Sequence, residues 1–320
     1  MPSYQDRVMG GMLGVLVGDM LGVPYEQTAP RAMPRLPADL LTLPNGFVRA
    51  HPEQPLGVYS DDGAQSLCLL SSLLGCNGWN ADDFGRQLLR WLDAGHLAAR
   101  GGIFGTGGTT RTALGRIREG TPALLAGLTE ETALGNGPLM RGLPLALWGH
   151  DLTDTELVRI AMDQCRVTHA HPRALATTAV HALYARCLLE DVAPVDALNL
   201  AIDAAHRRLH GDLAREVWAL RTRTRNAAPP TGDFHIVETF HSAVAASGLG
   251  SFEETIRAAI ELGNDTDTTA SVAGGLAGIR FGMGAIPRRW IDVCLESANP
   301  QANDLLLRLD AHALCSRSAR

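Results

Sequence analysis

The chain has 320 residues, 46% of them hydrophobic, with 28 Lys plus Arg against 34 Asp plus Glu for a net charge of −6. That describes a globular chain long enough to bury a sizeable core, in one large domain or two. A pI near 6.0 disfavours nucleic acid as a partner, and 5% aromatic residues argue against stacking platforms for single strands.

The first predicted helix covers residues 4–21. Its most apolar part, Met9 to Val17, ends at Asp19, lacks a basic leader and is too short to cross a bilayer, so no membrane is expected. Gly10, Gly14, Gly18 and Gly22 recur every four residues along one ridge, a spacing that predicts close approach of another backbone. Residues 24–58 hold seven prolines from Pro24 to Pro55 and cannot form a long helix; a loop of this length is expected to be functional or disordered, and is read here as a lid. Helical segments then follow at 61–75, 82–95 and 109–119. The glycine-rich run 101–110 resembles a phosphate loop but lacks the Gly-Lys-Ser/Thr ending, and reads as a turn before a helix.

Further helices are predicted at 138–148, 154–168, 172–190 and 193–209. Thr153 with Glu156 fits a capping box, and Pro172 suits a first turn. Residues 221–235, with Arg221, Arg223 and Arg225 before Pro229 and Pro230, read as a surface connector with a solvated basic face. The last helices fall at 236–247, 252–262 (opened by Ser251 and Glu254), 267–283 and 301–314. A second glycine ridge, Gly274, Gly278 and Gly282, predicts that the helix at 267–283 packs centrally, against the first. Strand-like alternation is nearly absent and composition does not shift along the chain. An all-α fold in a single domain, 1–320, is the expectation. Six cysteines without C-x-x-C spacing or a signal peptide before them indicate a reducing, cytoplasmic setting.

Two helix starts are acidic: Tyr59-Ser60-Asp61-Asp62-Gly63, and Gly263-Asn264-Asp265-Thr266-Asp267-Thr268. Each alone is explained by capping and the helix dipole. Were the two starts to meet, they would bring together four carboxylates (Asp61, Asp62, Asp265, Asp267) and two hydroxyls (Ser60, Thr268). Such a set calls for a hard divalent cation, Mg²⁺ or Mn²⁺ rather than Zn²⁺, and admits a dinuclear site. Gly135-Asn136-Gly137 could offer backbone N–H groups to a pyrophosphate or be an ordinary turn. Arg141 could counter phosphate charge or face an acidic neighbour. Cys165, His169 and His171 make a poor zinc set for want of a fourth ligand.

Five segments taken in order resemble the ADP-ribosylglycohydrolase family: Gly14 to Glu26, Tyr59-Ser60-Asp61-Asp62, Gly135-Asn136-Gly137-Pro138-Leu139-Met140-Arg141, Thr168-His169-Ala170-His171-Pro172, and Gly263 to Thr268 running into Ala273-Gly274-Gly275-Leu276-Ala277-Gly278. The resemblance implies an all-α orthogonal multi-helix bundle with two Mg²⁺ or Mn²⁺ ions. Ser60, Asp61, Asp62 and Asp267 would bind one ion, and Asp265, Asp267 and Thr268 the other. Glu26 matches a glutamate at the start of a mobile flap, and Glu26, Asp61 and Asp62 would be catalytic. Gly135, Asn136, Gly137, Met140, Arg141 and His169 would meet ADP-ribose. The implied reaction is hydrolysis of the C1″ glycosidic bond of ADP-ribose on a protein side chain, arginine foremost, or on a small conjugate, with ADP-ribose as product. Gly63, Asn264 and Pro138 depart from the family's usual residues. The alternatives are a helical phosphohydrolase of the His-Asp type, prompted by His150-Asp151, and an inactive ADP-ribose-binding protein of the same fold.

Overall fold

Ser3 opens the first helix: its backbone is extended and its side chain accepts from Asp6 N–H, one of the donors a helix start leaves unpaired. The computed structural model describes residues 1–100, 102–225 and 229–318, with side chains described except at 224, 225 and 315–318. Among these residues fifteen α-helices follow in order: α1 (Tyr4–Gly22), α2 (Asp61–Cys76), α3 (Ala81–Ala94), α4 (Gly108–Arg118), α5 (Gly137–Met140), α6 (Leu143–Trp148), α7 (Asp154–Arg166), α8 (Pro172–Leu189), α9 (Pro194–Arg208), α10 (Asp212–Arg225), α11 (Ile236–Ser247), α12 (Phe252–Glu261), α13 (Thr266–Phe281), α14 (Arg288–Ser297) and α15 (Pro300–Ser318). No strands occur among them, only two isolated bridges, Leu128 to His169 and Gly135 to His235. The fold is the all-α one expected.

The centre of the molecule is the pairing of α1 with α13, the most extensive helix contact in the fold. A methyl group at Gly10, Gly14, Gly18 or Gly22 would strike the main chain of Gly278, Gly274, Ala270 or Thr266 respectively, so the two backbones touch along the whole predicted ridge. Gly282 is different: it ends α13 with φ +78° and packs on Asp6 and Pro2. By length and hydropathy the segment Tyr4–Tyr25 could cross a membrane, longer than the stretch read from sequence, yet 94% of its apolar window is buried inside the molecule. Its apolarity serves a core helix surrounded on all sides.

Several expectations need correction. The segment 138–148 is two helices, α5 and α6, broken at Gly142 ahead of Pro144, which has no N–H to continue the ladder. Residues 221–225 belong to α10 and not to a connector: Val217 and Leu220 are buried, while Arg221 pairs with Asp203 and Arg223 with Glu238. The side chains of Arg225 and Cys315, like residues 226–228 of that expected connector and Gly101 of the glycine-rich run, lie outside what is described. Helix α14 was not anticipated, although its buried residues Trp290, Ile291, Cys294 and Ser297 recur at helical spacing along one face.

The proline-rich loop carries no α-helix, as its composition requires, but it is packed down. Leu36 and Leu40 are buried, Tyr25 stacks on Phe47 at 5.1 Å, and Ala50 N–H donates to Pro24 C=O at 3.0 Å. Its first residues are stitched to the turn before α13: Gln27 N–H donates to Asn264 C=O at 2.6 Å and Asn264 N–H to Thr28 C=O at 2.7 Å.

Candidate active site

Close packing of α1 on α13 brings the two acidic helix starts to one place. Thr266 Oγ1, in the first turn of α13, donates to Gly22 C=O at the end of α1 at 2.8 Å. One turn earlier on α1, buried Asp19 accepts from Ser60 N–H (2.9 Å to each oxygen) and Gly63 N–H (2.7 Å), which moors the start of α2. A single helix thus positions both starts. Asp19 was missed in the sequence beyond marking the end of an apolar stretch; a lone acid inside a buried helix was the available signal.

Between these starts opens a cleft of about 520 Å³, lined by Glu26, Asp61, Asp62, Asp265, Asp267 and Thr268, with Gly135, Asn136, Gly137, Met140 and His169 on its wall. That volume suits a small organic ligand. No Lys or Arg lines it among the described residues. Burial is the main cause, and neighbouring carboxylates the next, that push Asp61, Asp62 and Asp267 well above the ordinary carboxyl range. Asp19 rises to about 7, chiefly through burial, against the lowering effect of its backbone donors.

The carboxylates differ in their partners. Asp61 Oδ2 accepts from Gln65 Nε2 at 3.0 Å, and Asp62 Oδ1 from Thr268 Oγ1 at 3.4 Å. Asp265 Oδ2 accepts from Asn136 Nδ2 at 2.7 Å, and Glu26 Oε2 meets His51 Nε2 at 2.5 Å. Asp62 Oδ2 and Asp267 Oδ1 are buried with no hydrogen-bond partner. Ser60 lies behind the lining, its hydroxyl capping α2 by accepting from Asp62 N–H at 3.3 Å. Among the described residues no group of three or more His, Cys, Asp or Glu side chains is placed to hold a metal ion as it stands. Orphaned buried carboxylate oxygens, an all-oxygen donor set and the lack of a lining cation are nonetheless what a hard divalent ion would satisfy.

Arg141 departs from the sequence expectation. Its side chain is fully buried behind the cleft lining and donates to Gln65, Gln164 and Thr168, amide and hydroxyl acceptors and not an acidic neighbour. Asn136 turns its amide onto Asp265 and Thr239. His169 stays neutral, its pKa lowered to about 3 by burial and by the Arg141 charge. The departures at Asn264 and Pro138 are accommodated: Asn264 holds φ +60°, which asparagine tolerates, and Pro138 sits in the first turn of α5, where a missing N–H costs nothing.

No zinc set forms from Cys165, His169 and His171. Cys165 Sγ donates to the backbone oxygen of His169 and also meets the Thr178 side chain, and His171 Nδ1 caps α8 by accepting from Arg173 N–H. His150 lies away from the cleft, against Tyr4, Asp151 and His312. The glycine-rich run does reach the site: Gly105, Gly107, Gly108, Thr109 and Thr110 line it. Gly105 has φ +83°, and a side chain there would run into the Asp61 carboxylate. Sequence reasoning also passed over Gln27, Thr132 and Phe234, the last 66% exposed at the cleft.

A family model described as ADP-ribosylglycohydrolase matches residues 1–318. The chain is 28% identical, over 96% of its length and 98% of the other's, to the ADP-ribosyl-[dinitrogen reductase] glycohydrolase of Rhodospirillum rubrum. To the ADP-ribosylarginine hydrolase Tri1 of Serratia proteamaculans it is 26% identical over 91% of this chain and 76% of that one. A solved structure described as an ADP-ribosylglycohydrolase-related protein complex superposes with a TM-score of 0.74 at 34% identity, covering 97% of this chain and 99% of that one.

Proposed function

The chain belongs to the ADP-ribosylglycohydrolase family and is a hydrolase of glycosyl bonds; from that premise we propose that its acidic cleft cleaves the C1″ bond joining ADP-ribose to a side chain, arginine foremost. The observation that carries this reading is the convergence of Glu26, Asp61, Asp62, Asp265 and Asp267 on one cleft with no Lys or Arg lining it among the described residues. An anionic cleft attracts a cationic guanidinium leaving group and raises its local concentration. Relatives named for ADP-ribosylarginine and for ADP-ribosylated dinitrogen reductase support a protein-linked substrate.

Asp61, Asp62, Asp265 and Asp267, with Ser60 and Thr268, would hold two Mg²⁺ or Mn²⁺ ions. When bound, such ions supply Lewis acidity that fixes the ribose hydroxyls and lowers the pKa of water. The rest falls to the chain's own groups. The Asp61–Asp62 pair takes a proton from the attacking water as its oxygen bonds to C1″. Glu26, steadied by His51, gives a proton to the departing nitrogen as the C1″–N bond breaks, through a transition state of oxocarbenium character. Asn136 holds Asp265 in place while the Gly135–Gly137 backbone meets the pyrophosphate. Exposed Phe234 gives the adenine a ring to stack on.

The test is a panel of defined ADP-ribose conjugates, linked through arginine, serine or an acetyl ester, scored for free ADP-ribose with Mg²⁺, Mn²⁺ or chelator. Cation-dependent release from the arginine conjugate is expected, and Asp62→Asn and Asp267→Asn should each abolish it. Near-normal release by both variants, or release of phosphate in place of ADP-ribose, would overturn the reading. Tight ADP-ribose binding without turnover would favour the inactive binding protein.

A further inference from the structure

Behind the cleft wall the buried side chains form one continuous run of hydrogen bonds from Asp61 to His169. Gln65 Nε2 donates to Asp61 Oδ2 at 3.0 Å, and Arg141 Nη1 donates to Gln65 Oε1 at 2.9 Å. On its other side Arg141 Nη2 donates to Thr168 Oγ1 at 2.5 Å, and Thr168 Oγ1 lies 2.7 Å from His169 Nδ1. Gln65, Arg141 and Thr168 are wholly buried. The Arg141 guanidinium has no carboxylate within ion-pair distance among the described residues; beyond its amide and hydroxyl acceptors it faces the Phe84 ring at 5.7 Å. A buried cation without a direct counter-ion is costly, so its retention calls for a reason.

Donor bookkeeping along the run leaves little freedom. A guanidinium only donates, so Gln65 must turn its carbonyl to Arg141 and its NH₂ to Asp61. Thr168 Oγ1, already accepting from Arg141, has one proton to place, and the remaining partner is His169 Nδ1; a buried hydroxyl proton left unpaired is unfavourable. An imidazole that accepts at Nδ1 carries its proton on Nε2. Nε2 is the ring nitrogen at the cleft wall: a methyl group on Gly135, which lines the cleft, would lie 3.5 Å from it.

We propose that Arg141 is a positioning residue that acts on both sides of the cleft at once, orienting the Asp61 carboxylate through Gln65 and locking His169, through Thr168, as the Nε2–H tautomer that offers a hydrogen-bond donor to an acceptor oxygen of the nucleotide. The amide between Arg141 and Asp61 matters: Asp61 is oriented without its charge being cancelled by a salt bridge, and stays available to a cation. The nucleotide part of this inference rests on the function proposed above; the tautomer and the network do not.

The test begins with ¹⁵N spectra of the free chain labelled at histidine, which report directly which ring nitrogen of His169 carries the proton. The Nε2–H form alone is expected. Thr168→Val should bring in the Nδ1–H form and weaken ADP-ribose binding about five- to tenfold, with Mn²⁺ affinity unchanged. Gln65→Met should do the reverse, weakening Mn²⁺ binding about five- to tenfold and leaving the tautomer as it was. Arg141→Lys, whose single ammonium cannot span Gln65 and Thr168 as a fork does, should show both changes. These two flanking variants decide the matter even if the Arg141 variant fails to fold. An Nδ1–H histidine in the unaltered chain, or a Thr168→Val chain whose spectrum and ADP-ribose affinity do not change, would overturn the proposal. Because the spectra are taken without ligand, a chain that did not bind ADP-ribose at all would count against the functional reading while the tautomer result still judged the network.

Discussion

Asp19 shows how one side chain can set the geometry of several others. It never reaches the cleft, yet its carboxylate accepts the N–H groups of Ser60 and Gly63, on either side of the Asp61–Asp62 pair. Asp19→Ala would leave two buried donors unpaired, and each such loss costs about 1–3 kcal/mol. Denaturant melts should therefore show the alanine variant destabilised by roughly 2 kcal/mol or more, with Mn²⁺ binding weakened alongside; Asp19→Asn, which keeps a carbonyl acceptor, should lose less of both. Equal losses in the two variants would contradict this role. Asp61, Asp62, Asp265 and Asp267 could be picked out from the sequence because carboxylates at helix starts carry a local signal. The roles of Asp19, Gln65 and Phe234 could not, since each depends on what lies opposite in space. Arg141 was noticed but misread, for nothing in its neighbours along the chain shows that it points inward.

At the level of elements, the crossing of α1 and α13 is what makes two acidic turns, separated by about two hundred residues of chain, into one site. Glycines every four residues on both helices announced the contact, because repeated glycine in a helix is unfavourable unless another backbone fills the space. Adding one methyl group at Gly18 would push into Ala270 C=O. Gly18→Ala should thus destabilise the chain by about 1–3 kcal/mol and also reduce ADP-ribose release in the folded fraction, read by thermal melts beside assays; unchanged activity would separate the crossing from the site. Helix α10 escaped the sequence reading for a physical reason. Its arginines read as a solvated face, whereas Arg221 and Arg223 pair with acids on α9 and α11 while Val217 and Leu220 turn inward.

Across the whole molecule, the acidic cleft couples stability to pH and to cations. The folded chain holds Asp61, Asp62 and Asp267 well above the ordinary aspartate value of 3.8, and Asp19 at about 7. From about pH 4 upward the unfolded chain has released protons that the folded chain still binds, so these groups make stability fall as pH rises through that window, to about 7 in the case of Asp19. In chelator, the melting temperature should accordingly be higher at about pH 5 than at about pH 8, all else being equal, and Mn²⁺ should raise it more at the higher pH. A Mn²⁺ effect independent of pH would count against cation binding to these carboxylates. The most direct measurement of the central claim is an anomalous difference map from crystals grown with Mn²⁺. The account predicts density between the start of α2 at Asp61–Asp62 and the start of α13 at Asp265–Asp267, absent in Asp267→Asn crystals; density only elsewhere, or none at saturating Mn²⁺, would contradict it.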